Sequence, residues 1–383
     1  MSEIKVNSIK GVGASAAAIT VNNTDGTCTA NITNNLSNRN VVINGAMLIN
    51  QRASSYTATG EEYLLDRFNH RTGSGFTFDT TTTQDTSTPD GFSKSLKITP
   101  DSTQTPTGSH NGVIATLLEA DNLIGFASGT SSAKKFVLSF YAKSASQNNN
   151  HNYSVQLSKL ASSGTYYYVT KAFTVTSTWQ RFTIPFVADT SNNITTGSGE
   201  GLRILWHLAA GSDDIGSEVS TWTNGNVNKA VTGQSNFMDN TSNEFYLTGV
   251  QLEASDSDVA TDFEHRSFGD ELKKCQRYCY VDKGSEDYHA VAQGHYNGTT
   301  TAVIMLYTPV CMRVAPTVST PVGTWITSGD AGGLSTSNIT GSDNIPETNA
   351  FQIRATVSGA QSGEGFLLRT SSTGHSFILD SEL

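Results

Sequence analysis

The sequence predicts an all-β chain assembled from sandwiches or barrels, and three observations carry that prediction. Several runs alternate apolar and polar residues with period two, as half-buried strands do. Turn dipeptides such as Asp25-Gly26, Asp90-Gly91, Asn224-Gly225 and Asn297-Gly298 separate the runs and supply the positive φ of tight turns. No amphipathic helices lie between the strands, which excludes a parallel α/β sheet. In order along the chain, Phe136, Leu138, Phe140 and Ala142 share one face. Phe182, Ile184 and Phe186 do so after Trp179, then Leu202, Ile204, Trp206 and Leu208, then Phe351, Ile353, Ala355 and Val357. One short helix is expected from Gly269 to Tyr278. Its acids come first and its bases later, and Leu272, Cys275 and Cys279 recur at three- and four-residue steps.

Three zones follow. Residues 1–40 are small and polar, with too few large apolar side chains for a core, so they order only against other chains or a docking partner. Residues 41–265 carry most of the strands and three of the four Trp, a length that suits one elaborated sandwich. Residues 266–383 begin with the helix, pass through Ala302 to Tyr307 and end in a Gly/Ser-rich β segment, read as a second small sandwich. No repeat of a β-helix kind is visible.

Composition narrows the function. The chain has 383 residues, 24 Lys plus Arg against 34 Asp plus Glu, and a net charge of −10. That balance argues against tracking nucleic-acid phosphates or anionic lipid. Charged residues are 15%, against about 25% in an average domain, and Ser, Thr and Asn fill the gap. The longest apolar stretch, around Thr301 to Cys311, is far short of a bilayer span, and no basic-then-apolar export signal is expected at Met1–Lys5. Cys28, Cys275, Cys279 and Cys311 are too sparse for a disulfide framework, which fits assembly in a reducing cytosol. Cys275 and Cys279, with His289 or His295, lack standard zinc spacing and read as small core residues on the helix's inner face. Acid-rich turns at Asp239-Asn240 and Asp256 to Asp262 form no defined calcium loop. No metal or cofactor is expected.

Two junctions carry a resemblance. Asn40 to Met47, Asn50-Gln51-Arg52 and Tyr63 to Phe68 resemble the opening of a domain in tail-fibre proteins of tailed bacteriophages, notably phages of marine bacteria and cyanobacteria. Phe245 to Glu253, Ala260 to Arg266 and Gly269 to Tyr278 resemble that domain's end, and Met312 to Val318 the element that follows it. Between them, Phe140-Tyr141-Ala142-Lys143 and Trp179-Gln180-Arg181-Phe182 resemble strands of a carbohydrate-binding-module-like jelly roll. The resemblance implies a homotrimeric virion fibre that adsorbs to a host-surface glycan. Residues 1–40 would then be the attachment segment for a tail or capsid socket protein.

The junction motifs themselves read as structure. Asn44-Gly45 is expected to be a turn, Asp66-Arg67 an inter-sheet ion pair, and Phe263 to Arg266 a polar hinge whose bases find Asp262 or Asp270. Catalysis is not expected. Glycoside cleavage needs two carboxylates across a groove, whereas Asp213/Asp214, Asp256/Asp258 and Glu61/Glu62 are turn-like neighbours. No hydrolase elbow, P-loop or His-Glu-x-x-His is present. Glycan recognition instead needs flat aromatic area beside polar groups. Tyr166 and Tyr168 share one strand face, and Trp222 and Trp325 stand in loop-like settings, so these four are the candidate contacts. Trp179 and Trp206 are assigned to packing. A structural fibre or decoration protein and a glycan depolymerase stay open as alternatives.

Overall fold

The computed structural model describes residues 6–9, 12, 19–21, 24, 28–30, 37–53, 55–58, 60–225, 228–284, 289–319, 325–329, 332–341, 349–371 and 375–383. Two antiparallel sheets face each other between Ser55 and Ser255. The six-stranded sheet runs, in spatial order, Gln180–Phe186, Lys135–Ser144, Phe245–Ser255, Ser95–Pro100, Thr80–Asp85 and Ser55–Ala58. The seven-stranded sheet runs Val219–Asn224, Tyr166–Thr174, Asn152–Leu160, Glu200–Ala210, Asn111–Glu119, Phe68–Gly73 and Glu62–Tyr63. Neighbours are rarely consecutive, so the chain crosses repeatedly between sheets, as a jelly-roll sandwich does.

The register explains the core. Phe136 pairs Phe186, Leu138 pairs Ile184 and Phe140 pairs Phe182, so each inward residue of one strand meets an inward residue of the next. Leu202, Ile204, Trp206 and Leu208 close the opposite wall, all fully buried. Trp206 stands edge-on to Phe140 with centroids 5.7 Å apart. The alternating runs therefore form strands and bury the faces the sequence assigns to them.

A second, smaller sandwich follows. Cys279–Gly284, His375–Asp380 and Thr317–Val318 form one sheet. The other has seven strands, Ala290–Tyr296 and Thr301–Tyr307 near its centre. Its core includes Ile304, Trp325, Phe351, Ile353, Phe366 and Phe377. At the N-terminus, the short strands Ser8–Ile9, Ile19–Val21 and Cys28–Ala30 pair with one another. Val6, Ile9 and Val12 are exposed.

The helix spans Phe268–Gln276, with Ser267 Oγ accepting from Asp270 N at 3.2 Å as its cap. It stops earlier than the periodicity predicts because Cys279 already belongs to a strand paired with Asp380. Cys275 and Cys279 are both fully buried, and burial pushes both thiols up. They pack as apolar groups; the described residues hold no metal-ligand cluster.

The junction between the two sandwiches departs most from expectation. Arg67 does not pair with Asp66. Asp66 is taken by Gln51, whose backbone N and Nε2 each donate to it at 2.7 Å. Arg67, buried and with φ +69°, instead forms an ion pair with Glu382, donates to Leu117 O and lies 3.6 Å from the Tyr278 ring centroid. Arg52 reaches the same Glu382 at 3.2 Å and Asp380 at 3.1 Å. Arg313 donates to Ser381 O and Glu382 O, both at 2.7 Å. Arg277 and Tyr278 both bond Glu119 of the first sandwich at 2.6 Å. The polar hinge is present with a different partner: Arg266 meets Glu271 at 3.2 Å and donates to Asn40 O and Val42 O. Asn44-Gly45 is a turn, closed by Met47 N donating to Asn44 O at 2.9 Å. Gly45 is required there, since a Cβ would lie 2.1 Å from Val250 O.

Removing Glu382 would leave two buried guanidinium groups short of their carboxylate. Glu382→Ala is expected to destabilise the chain by about 3 kcal/mol, read as an earlier urea transition. The double variant with Arg67→Ala should cost clearly less than the sum of the single changes.

Candidate functional site

The strand Tyr166–Thr174 points Val169 and Phe173 into the core and Tyr166, Tyr168 and Thr170 outward. Pairing places Ser158 beside Tyr168 and Gln156 beside Thr170 on that outer face. Most of these polar groups are covered by residues 228–235, which cross over the sheet. Thr170 Oγ1 accepts from Gln156 Nε2 and donates to Asn228 O, each at 2.9 Å. Ser154 Oγ accepts from Val231 N at 2.9 Å and donates to Gln234 Oε1 at 2.8 Å. At the edge of this cover a cleft of about 410 Å³ opens, lined by Gln156, Tyr168, Asp213, Asp214, Asn228 and Lys229.

The acids of the cleft stand on the short turn Ser212–Asp214, which follows the strand Glu200–Ala210. Asp214 is buried and framed: Lys229 Nζ lies 2.9 Å from its Oδ2, and Asn111 Nδ2 donates to the same oxygen at 3.2 Å. Lys229 N also donates to Asp214 O at 2.9 Å, which pins the crossing segment to the turn. Asp213 is exposed at the rim. Beside the cleft, the rings of Tyr166 and Tyr168 lie 6.3 Å apart with planes inclined by 24°. Arg203 donates to Tyr166 OH at 2.8 Å while Glu200 holds its guanidinium in a bidentate pair. Burial holds both phenols above the usual tyrosine range, so they stay protonated donors at neutral pH. The arrangement sets the Tyr168 ring next to a carboxylate, amides and hydroxyls, while the Arg203 guanidinium lies over the Tyr166 ring, 4.8 Å from its centroid.

The four candidate residues do not converge. Tyr166 and Tyr168 share the cleft face. Trp222 lies on a strand, not a loop, and faces the other way: its ring meets Phe136 at 5.1 Å and its Nε1 donates to Val187 O at 2.8 Å. Under it lies buried Lys159, 4.7 Å from the ring centroid and 2.5 Å from Asp189. Trp325 also belongs to a strand, and at 2% exposure it packs on Phe377 inside the second sandwich. It has no surface to offer a ligand. Trp206 is core, but Trp179 is half-buried on the outer face of the six-stranded sheet against Tyr246 and Lys143.

Other acids of the candidate pairs and turns have partners of their own. Asp256 and Asp258 pair with Lys134 and Lys135 at 2.6 and 2.8 Å, and Glu61 meets Arg71 at 3.4 Å. Asp239 accepts from Asn243 Nδ2 at 2.7 Å. Sequence reasoning missed Gln156, Asn228, Lys229 and Asn111 because each looks ordinary in its own segment. The Asn224-Gly225 turn was the only local hint that the chain folds back there.

No protein-family model matches the chain, and no curated protein matches it. Solved structures do show likenesses. The family 11 carbohydrate-binding module of cellulosomal cellulase Lic26A-Cel5E of Clostridium thermocellum is 14% identical, covers 55% of this chain and all of its own, and gives a TM-score of 0.27. A putative sugar-binding protein from Bacteroides thetaiotaomicron is 10% identical over 57% of this chain and all of its own, with a TM-score of 0.31. The enzymatically active domain of bacteriophage CBA120 tailspike protein 4 is 13% identical over 56% of this chain, with a TM-score of 0.28, and only 21% of that chain is covered. The functional reading rests on the cleft itself.

His207 lies on the same outer face, fully enclosed, and neither ring nitrogen has a hydrogen-bond partner among the described residues. Burial, with Lys229 as a second cause, pushes it from 6.5 down to about 3. The unfolded chain therefore binds the extra proton below pH 6.5, and stability present above that pH is lost as pH falls toward 3. The loss attributable to His207 should reach about 2 kcal/mol by pH 5. Urea midpoints measured from pH 7 to 4 should fall more steeply for the wild type than for His207→Leu.

Proposed function

We propose that this chain is a non-catalytic adhesion protein of a virion fibre that binds a host-surface glycan in the Tyr168 cleft. The observation that supports it best is the pairing of near-parallel tyrosine rings with a polar, carboxylate-bearing cleft on a rigid sheet. Rings stack on sugar C–H faces at small entropic cost, and amides and carboxylates meet hydroxyls. The junction segments around Asn40 to Arg52 and Phe245 to Tyr278, which resemble phage tail-fibre proteins, supply the virion context. In this reading residues 1–40 dock on a tail or capsid socket protein and the chain acts as a homotrimer, so that several weak sites act together.

A structural reading has one observation in its favour. The outer face of the second sandwich exposes Tyr307 and Leu367 beside Met305 and Val291 around a groove of about 570 Å³. Contacts with other virion proteins would use such a face. A depolymerase reading has less support, since Asp214 is committed to Lys229 and Asn111.

A glycan array probed with the full chain should show binding without release of shortened products. Tyr168→Ala should weaken the best hit by about tenfold. Binding that survives this change intact would move the site elsewhere. The solution mass should be near three times the 40.8 kDa of one chain, and a persistent single-chain mass at high concentration would overturn the trimer.

A further inference from the structure

We infer that the Tyr168 cleft selects uncharged sugars and turns away those bearing carboxylate or sulfate, with Asp213 as the residue that sets this choice. The inference rests on the glycan-binding reading of the cleft and deepens it. The charges around the cleft do not cancel. Lys229 is the cation among the residues named on its walls, and its ammonium lies 2.9 Å from Asp214. Arg203, beyond Tyr166, is held in a bidentate pair by Glu200 at 2.6 and 2.8 Å. Asp213 is different. It is exposed at the rim, its side chain accepts from Ser212 Oγ at 3.3 Å, and among the described residues no cation lies within ion-pair distance.

The uncommitted charge facing a ligand is therefore negative, on a chain of net charge −10. A carboxylate at this place can only accept hydrogen bonds. A neutral sugar offers hydroxyl donors to it. A uronate, sialate or sulfate offers another acceptor of the same sign, and like charges set together discriminate against a partner more than they aid the correct one. The Lys229 ammonium is already matched by the Asp214 carboxylate, so the pair leaves the negative charge of Asp213 unbalanced on the cleft walls.

The test uses the full chain on an array of neutral oligosaccharides and of uronate-, sialate- and sulfate-bearing ones, followed by titration calorimetry. The neutral hit and its 6-carboxylate counterpart serve as the matched pair. The wild type should bind the neutral member at least about tenfold more tightly. Asp213→Asn, which keeps the size and an acceptor oxygen, should bring the two within about threefold. Raising salt from about 20 to about 300 mM should narrow the wild-type gap, because exposed charges are screened. Equal binding of both members by the wild type, or an unchanged ratio in Asp213→Asn, overturns the assignment of Asp213 while leaving glycan binding standing. Binding to no glycan, or full retention in Tyr168→Ala, overturns the underlying reading of the cleft as well.

Discussion

The arrangement depends on one buried carboxylate. Glu382 sits between Arg52 and Arg67, and these three residues come from the first sandwich and from the last strand's continuation. Buried ion pairs add little stability over an apolar contact of the same shape, but breaking one is costly, so such a pair fixes geometry. Here it fixes the second sandwich against the first. Arg313, Arg277 and Tyr278 add bonds in the same place, and Tyr63 OH donates to Leu383 O at 3.0 Å. Apolar packing of Leu383 on Val113, Ala115 and Leu117 accompanies these directional bonds.

That junction also decides which parts of the seven-stranded sheet's outer face are covered. Val113, Ala115 and Leu117 point outward from the seven-stranded sheet, yet all are buried, with Leu205 and Leu383 packed against them. Residues 228–235 cover the neighbouring strip over Ser154 and Thr170. What remains open is the edge carrying Tyr166 and Tyr168. The cleft is thus the uncovered remainder of a face whose other parts are occupied by the chain's own segments.

The same logic explains why its polar groups are held firmly. Asp214, Asn111 and Lys229 come from three separate segments and meet through bonds of 2.9 to 3.2 Å. The turn carrying Asp213 is braced from beneath by Asp214, so the rim charge sits on a supported backbone. A group held in this way loses little freedom on meeting a partner.

The sequence by itself determined the all-β class, the inward faces of the strands, the Asn44-Gly45 turn and the apolar role of the buried cysteines. Period two, turn dipeptides and helical spacing are local signals, and local sterics are enough to read them. Tertiary structure decided the rest. Trp325 sits near glycines that suggest a loop, but the partner strand Gly365–Thr370 makes it core. Arg67 stands next to Asp66 but bonds Glu382, 315 residues away. Tyr168 reads as a ligand contact from its strand phase, whereas Lys229 and Asn228 join it only because a crossing segment returns over the sheet. Which charge meets which, and which side of a strand is left uncovered, depends on contacts distant in sequence, and no local pattern encodes those.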